Sequence, residues 1–300
     1  MATSPTPRST LLALTAASAG IAAYAIMDAL MKELVLALGT YTALVWRLGA
    51  SLVLLGGVYA LSRPNLPSRR VLRVHAARSA IVAVMAIAFF WGIARVPLAE
   101  AIALSFIAPL IALGLAAVFL KERVGARAVG ASLLGIAGVG VILAGRLGGT
   151  QSQSAAWGAA AVLLSAVFYA VNLVMARHQA QLAKPLEIAT FQYGLVLLFL
   201  SPAAPYLLDV PAASHWPAIL VSSVLAAGSL LLMSWAYARA EAQSLLSVEY
   251  TAFIWASLLG WWMFDEALTL ATVAGTALIV AGCILAARVQ PARANPEFSP

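Results

Sequence analysis

Trp91-Gly92-Ile93-Ala94-Arg95, an apolar run through Pro109, the charged corner Lys121-Glu122-Arg123 and a Gly/Ala-rich run to Leu143 form a layout that this chain contains twice. The second copy lies 144 residues further on. Trp235-Ala236-Tyr237-Ala238-Arg239 stands where the first corner stood, Asp265-Glu266-Ala267 replaces the charged corner, and Ala281-Gly282 matches Ala137-Gly138. The shared Trp, Arg and Glu carry the match, because Ala/Leu-rich runs agree by chance. A repeat of this length makes each copy one structural unit.

Composition sets the class. Of 300 residues, 63% are hydrophobic and 10% charged, whereas soluble domains carry roughly 25% charged residues. The apolar residues come in runs close to the ~20 needed for a helix to span a bilayer. The chain therefore reads as one all-α integral membrane domain with the lipid bilayer as its solvent. The single Cys283 lies inside an apolar run, which leaves no disulfide framework and no Cys-based metal site. The net charge of +7 is first a topology signal in such a chain. No basic stripe interleaved with aromatics is present, so no nucleic-acid partner is expected.

Ten spans are expected, near 10–34, 39–61, 74–94, 97–120, 124–145, 155–177, 185–208, 216–238, 242–264 and 267–287. Arg8, the Leu11–Leu14 run and Ala17-Ser18-Ala19 resemble a secretion signal, but the apolar run continues past them and reads as the first span. The expected organisation is a tail at 1–9, a five-helix unit at 10–145, a polar linker at 146–154, a second unit at 155–287 and a tail at 288–300. Most Lys and Arg residues fall on the face that carries both termini, against Lys32, Arg95 and Arg146 on the other, so both termini read as cytoplasmic. Five spans per unit is odd, so the units insert upside down relative to each other. The Lys121-Glu122-Arg123 corner falls inside, and its copy, placed outside, has lost its positive charge. Opposite loop charge on matching helices is the mark of an inverted repeat, an architecture of secondary transporters.

At the two charged corners the chain resembles the drug/metabolite transporter superfamily, in its ten-helix EamA-type branch. The residues that carry this are Ala108-Pro109-Leu110 through Leu120-Lys121-Glu122-Arg123, then Gly130, Gly135 and Gly138, together with Arg47; the degenerate second copy runs from Ala252 to Gly282. Within that branch the chain is most similar to YddG-type exporters of aromatic and other neutral amino acids. The resemblance implies secondary export across a bacterial-type inner membrane. Pro109 has no proline counterpart in the second copy, where Phe253 stands, which argues against a symmetric kink.

Candidate residues come from charge and aromaticity inside the spans. An ionisable group at membrane depth costs at least about 2.5–3.5 kcal/mol. Asp28 and Arg47 read either as a neutralising pair that fixes two helices or as groups that handle substrate or a proton; Lys32, one turn from Asp28, competes for the pair. Glu249 has no obvious basic partner, and its counterpart in the first copy is Ser105. It reads as a site for a substrate ammonium or coupling proton, or as a carboxylate wetted by a vestibule. Arg95 and Arg239 read as snorkelling side chains beside an interfacial Trp, or as gate residues. Glu122 and Glu266 stand just before helix starts and read as caps. Tyr24, Tyr169, Asn172, Tyr250 and Trp255 are the candidate pocket walls, facing either a pocket or lipid and neighbouring helices. Ala131, Gly135, Gly138, Gly275, Ala281 and Gly282 allow close helix approach.

No Gly-x-x-x-x-Gly-Lys-Ser/Thr loop is present, so no ATP site is expected. His75, His178 and His215 fall near span ends, and no Ser/His or His/Glu constellation lies at depth, which argues against an embedded hydrolase. The expectation is a transporter of a small-molecule substrate, working as a monomer by alternating access, without cofactor or metal and without enzymatic activity. A sugar-phosphate or nucleotide-sugar carrier is the alternative within that class; it would need cationic clamps that the spans do not supply. An embedded enzyme or a sensor is the alternative outside it.

Overall fold

In an apolar surround a backbone must satisfy its own N–H and C=O groups, and a helix does so within one segment. A computed structural model describes residues 7–62, 66–120, 126–147, 153–237, 239, 245 and 248–287. Its regular structure is helical: α1 Pro7–Leu38, α2 Thr40–Leu61, α3 Arg69–Ile93, α4 Leu98–Ser105, α5 Ala108–Leu120, α6 Ala126–Leu147, α7 Gln153–Ala180, α8 Pro185–Leu200, α9 Ala204–Leu207, α10 Trp216–Tyr237, α11 Ala252–Phe264 and α12 Leu270–Ala287. Among the described residues, five segments are long and apolar enough to cross a membrane: Thr40–Leu61, Arg69–Ile93, Gln153–Ala180, Pro185–Leu207 and Ala213–Tyr237. Shorter apolar helices accompany them. The corner Lys121-Glu122-Arg123, with its expected Glu122 cap, lies outside the described residues, as do the linker core 148–152 and the tail 288–300.

Local chemistry sets the boundaries. Gly39 at φ 78° separates α1 from α2 in a conformation that costs an L side chain energy. The Ser68 side chain accepts the Val71 N–H at 3.4 Å and caps α3. Pro185 opens α8, where its missing N–H is no loss. α3 begins at Arg69, earlier than the 74 expected, so Arg78 lies more than two turns inside the helix.

Two expected spans are interrupted. The one at 97–120 breaks between Ser105 and Ala108, and the one at 242–264 has turns at Tyr250 and Thr251 before α11. Both copies therefore break, contrary to the expectation drawn from Pro109. In the first copy, proline cannot donate to the Ser105 carbonyl, and the chain tightens through Ile107 N–H to Leu104 O at 3.3 Å. In the second, the Thr251 hydroxyl donates to the Val248 carbonyl at 2.6 Å and the Thr251 N–H reaches the same carbonyl. A side-chain hydroxyl competes for a helix carbonyl there without any proline.

The breaks meet. Phe106 and Tyr250, at equivalent places in the two copies, pack edge to face with ring centroids 5.3 Å apart. The Cys283 thiol donates to the Phe106 carbonyl at 3.3 Å. Around this point α1 packs on α10 and α3 on α7; α2 meets α10 and α8 meets α3. α6 and α12 lie closest. A Cβ on Gly138 would stand 2.6 Å from the Gly275 carbonyl, and one on Gly282 would stand 2.7 Å from the Ala131 carbonyl. These two contacts exchange under the 144-residue shift, so the helices cross with the same small-residue packing on both sides of the contact.

Candidate substrate site

Tyr24 and Asp28 stand a turn apart on α1, on one face. Arg47 comes from α2, Tyr169 and Asn172 from α7, Tyr193 from α8, and Glu249 and Tyr250 from the second interruption. Tyr24 lies within electrostatic reach of Tyr193, Tyr169, Asp28 and Arg47, and Tyr169 of Glu249 and Arg78. The groups therefore converge in one region deep in the molecule. Tyr24 and Asp28 are partly buried and Tyr169 is 38% exposed.

The expected Asp28–Arg47 contact pair is not formed. The two charges attract through space, but the Arg47 guanidinium stands over the Phe90 ring, 5.7 Å from its centroid, and its Nε has no hydrogen-bond partner among the described residues. Arg47 is 6% exposed. The Ser223 hydroxyl donates to its carbonyl at 3.0 Å and ties α2 to α10.

Lys32 does not compete for Asp28. It forms an ion pair with Glu266 and donates to the Val96 carbonyl at 2.6 Å. The other Glu266 oxygen accepts the Leu98 N–H at 2.7 Å. Glu266 is thus a cap, but for α4 in the first copy and not for the helix that follows it in sequence. The reason is Asp265, whose left-handed backbone (φ 53°) ends α11 and turns Glu266 back toward Leu98. Beside this latch lies a cavity of about 20 Å3 bordered by Glu100, Ser257, Glu266 and Thr272, large enough for one water.

Arg95 and Arg239 adopt one local fold at their two corners. Arg95 lies 3.5 Å from the Trp91 ring centroid and donates to the Trp91 carbonyl at 2.8 Å; Arg239 lies 4.2 Å from the Trp235 ring and donates to its carbonyl at 3.2 Å. Both fold back on their own helix end. Trp255 is 39% exposed, on the side of α11 that it shares with the 76% exposed Trp262, seven residues on. This places it facing outward, away from the cluster.

Asn172 belongs to a polar chain whose other members went unmarked in the sequence. Arg78 Nε donates to Asn172 Oδ1 at 2.8 Å, and Arg78 Nη1 donates to Gln179 Oε1. The Gln179 amide meets His75 Nδ1, and His75 Nε2 lies 3.2 Å from Glu187. His75 is fully buried and stacks on Phe191 at 5.2 Å. The available signal was spacing: His75 and Arg78 are i, i+3 on α3, and Asn172 and Gln179 are i, i+7 on α7, so each pair shares a face.

The EamA-like transporter family matches residues 11–144 and again 156–288. Over 274 residues the chain is 27% identical to the pseudopaline exporter CntI of Pseudomonas aeruginosa (strain UCBPP-PA14), covering 89% of this chain and 93% of the exporter. It is 28% identical over 211 residues to an uncharacterized transporter of Helicobacter pylori (strain J99), covering 67% of this chain and 68% of that protein. A solved crystal structure superposes with a TM-score of 0.59 at 22% identity, covering 93% of this chain and 95% of that one. At that identity the likeness speaks to the fold alone.

Proposed function

The chain belongs to the EamA-like transporter family, and on that premise we propose that this multi-pass membrane transporter exports amino acids, or related small metabolites with both amino and carboxylate groups. One observation carries the reading. Two carboxylates, Asp28 and Glu249, and two guanidiniums, Arg47 and Arg78, gather around Tyr24 and Tyr169 between the copies. Charge is balanced there and aromatic faces are at hand, which suits a zwitterion with an apolar side chain. A phosphate carrier needs a net cationic clamp, and this set has none. Similarity to a named exporter supports export over uptake.

The proposed architecture is ten spans in two inverted units at 10–145 and 155–287, termini cytoplasmic, in a bacterial-type inner membrane, with the single chain as the working unit. The exchange of contacts between copies supports it. Rocking of the two units around a fixed midplane site gives alternating access. The Lys32–Glu266–Leu98 latch joins both copies and is the contact that closes one end. Of the residues read from sequence, Tyr24, Tyr169, Glu249 and Tyr250 are proposed to face the substrate, Asn172 to support Arg78 beside it, and Asp28 and Arg47 to couple movement to it. Arg95 and Arg239 are proposed as interface anchors. The test is flux of labelled phenylalanine and other neutral amino acids in proteoliposomes, with and without a pH gradient. Saturable flux is expected, and no movement of any amino acid would sink the reading. Gradient-dependent flux that Glu249→Gln makes gradient-independent identifies proton coupling.

A further inference from the structure

We propose that Arg78 is the carboxylate anchor of the transported solute and that Glu249, near the same tyrosine, is its ammonium anchor; this rests on the transporter reading above and names the chemistry of that site. Arg78 is held by two neutral acceptors, Asn172 Oδ1 and Gln179 Oε1. Asn172 is 6% exposed and Gln179 1%, so both are rigid supports. They orient the guanidinium but do not neutralise it. Among the described residues no carboxylate makes an ion pair with Arg78, and Glu187, the acid at the far end of the polar chain, is spent on His75.

A guanidinium carries five N–H donors in a planar fork. Asn172 takes the one on Nε and Gln179 one on Nη1. The Nη2 edge has no acceptor among the described residues, and Arg78 remains partly exposed. A fixed fork with an open edge is what bidentate capture of a carboxylate requires. An unneutralised charge inside a segment able to cross a membrane, turned toward α7, points to a substrate path. Tyr169 and Tyr24 lie within its field.

Glu249 supplies the opposite sign. One of its oxygens accepts the Tyr237 hydroxyl, and among the described residues no basic group pairs with it. Tyr169 lies within reach of both Glu249 and Arg78. Tyr169, which feels both charges, is the surface along which a solute held at Arg78 by its carboxylate would extend its ammonium toward Glu249. The polar chain then has a role, because through Gln179 and Asn172 it holds the anchor in one orientation. His75 and Glu187 act as positioning residues.

The experiment compares phenylalanine, phenylalaninamide (no carboxylate) and 3-phenylpropionate (no ammonium) on the reconstituted full chain. Flux is measured together with the shift in thermal unfolding that each probe gives the purified protein. Arg78→Gln is expected to weaken phenylalanine and 3-phenylpropionate by about 10- to 100-fold while leaving phenylalaninamide as it is in the wild type. Glu249→Gln is expected to weaken phenylalanine and phenylalaninamide but not 3-phenylpropionate. Arg78→Lys keeps the charge without the fork and is expected to raise KM at unchanged maximal rate; it serves if Arg78→Gln does not fold. Equal loss of all three probes, or of none, in the Arg78 variants overturns the proposal. Carboxylate-dependent binding that needs Arg78, without flux, would reject amino-acid transport and keep the anchor. Flux indifferent to Arg78 would do the reverse. Absence of both binding and flux rejects the anchor as well.

Discussion

Removing the Glu266 carboxylate should be among the most damaging single changes in this chain. Lys32 is 4% exposed and draws on Glu266 and the Val96 carbonyl. Glu266→Ala removes the acid that Lys32 contacts and leaves only the field of Glu100 to offset the buried ammonium, a loss of about 3–5 kcal/mol at most. It also orphans the Leu98 N–H at the start of α4, worth another ~0.5–2 kcal/mol by analogy with lost caps. The two losses share one side chain and do not add fully, so about 4 kcal/mol is expected. Glu266→Gln keeps an acceptor for Leu98 and should lose only the charge part. The assay is thermal and denaturant unfolding of the purified protein, with a double-mutant cycle on Lys32→Met. The double variant Lys32→Met/Glu266→Gln should recover most of the loss, because the buried ammonium is gone together with its ion-pair partner. A single-variant cost below ~1 kcal/mol, or no coupling in the cycle, would show that the latch carries no weight. Because the latch joins both copies, the double variant should also open one end more readily, read as faster cysteine labelling of a Cys placed at Ser257.

Other residues give sharper, local tests. Gly138→Ala drives a Cβ to 2.6 Å from the Gly275 carbonyl and should destabilise by about 1–3 kcal/mol, whereas Gly140→Ala meets nothing within 4 Å and should be neutral or slightly stabilising; equal effects would refute the α6–α12 contact. Asp265→Gly should preserve or raise the unfolding temperature, and Asp265→Val should lower stability by about 1–2 kcal/mol, since φ 53° disfavours a β-branched residue; the reverse order would refute the conformation. Trp255→Leu should leave flux unchanged while Tyr169→Leu should abolish most of it; matching losses would return Trp255 to the pocket wall.

Much of the framework was legible in the residues. Gly39, Ser68 and Pro185 each mark a helix boundary through a backbone property of their own. The two Trp-x-x-Ala-Arg corners were readable because each Arg finds its Trp four residues away, within one helix turn. The site was only half legible. Tyr24, Asp28, Arg47, Tyr169, Asn172 and Glu249 stood out by type and depth, and they do converge. Arg78 was not singled out because its partners, Asn172 and Gln179, lie on another helix. Trp255 looked like a pocket wall because aromatic content says nothing about which way a helix face turns.

The sequence by itself determined the all-helical membrane character and the twofold layout, since hydropathy, turn chemistry and repeat period act locally along the chain. It also determined which side chains are too costly to place at depth without a reason. Tertiary structure alone decided their partners. Lys32 and Glu266 are 234 residues apart, Arg78 and Gln179 are 101 apart, and no local pattern encodes such distances. It also brought the two breaks together, with Phe106 packed on Tyr250 and the Phe106 carbonyl taken up by Cys283. Composition specifies what must be buried or satisfied; only the packed arrangement of helices decides which group does it.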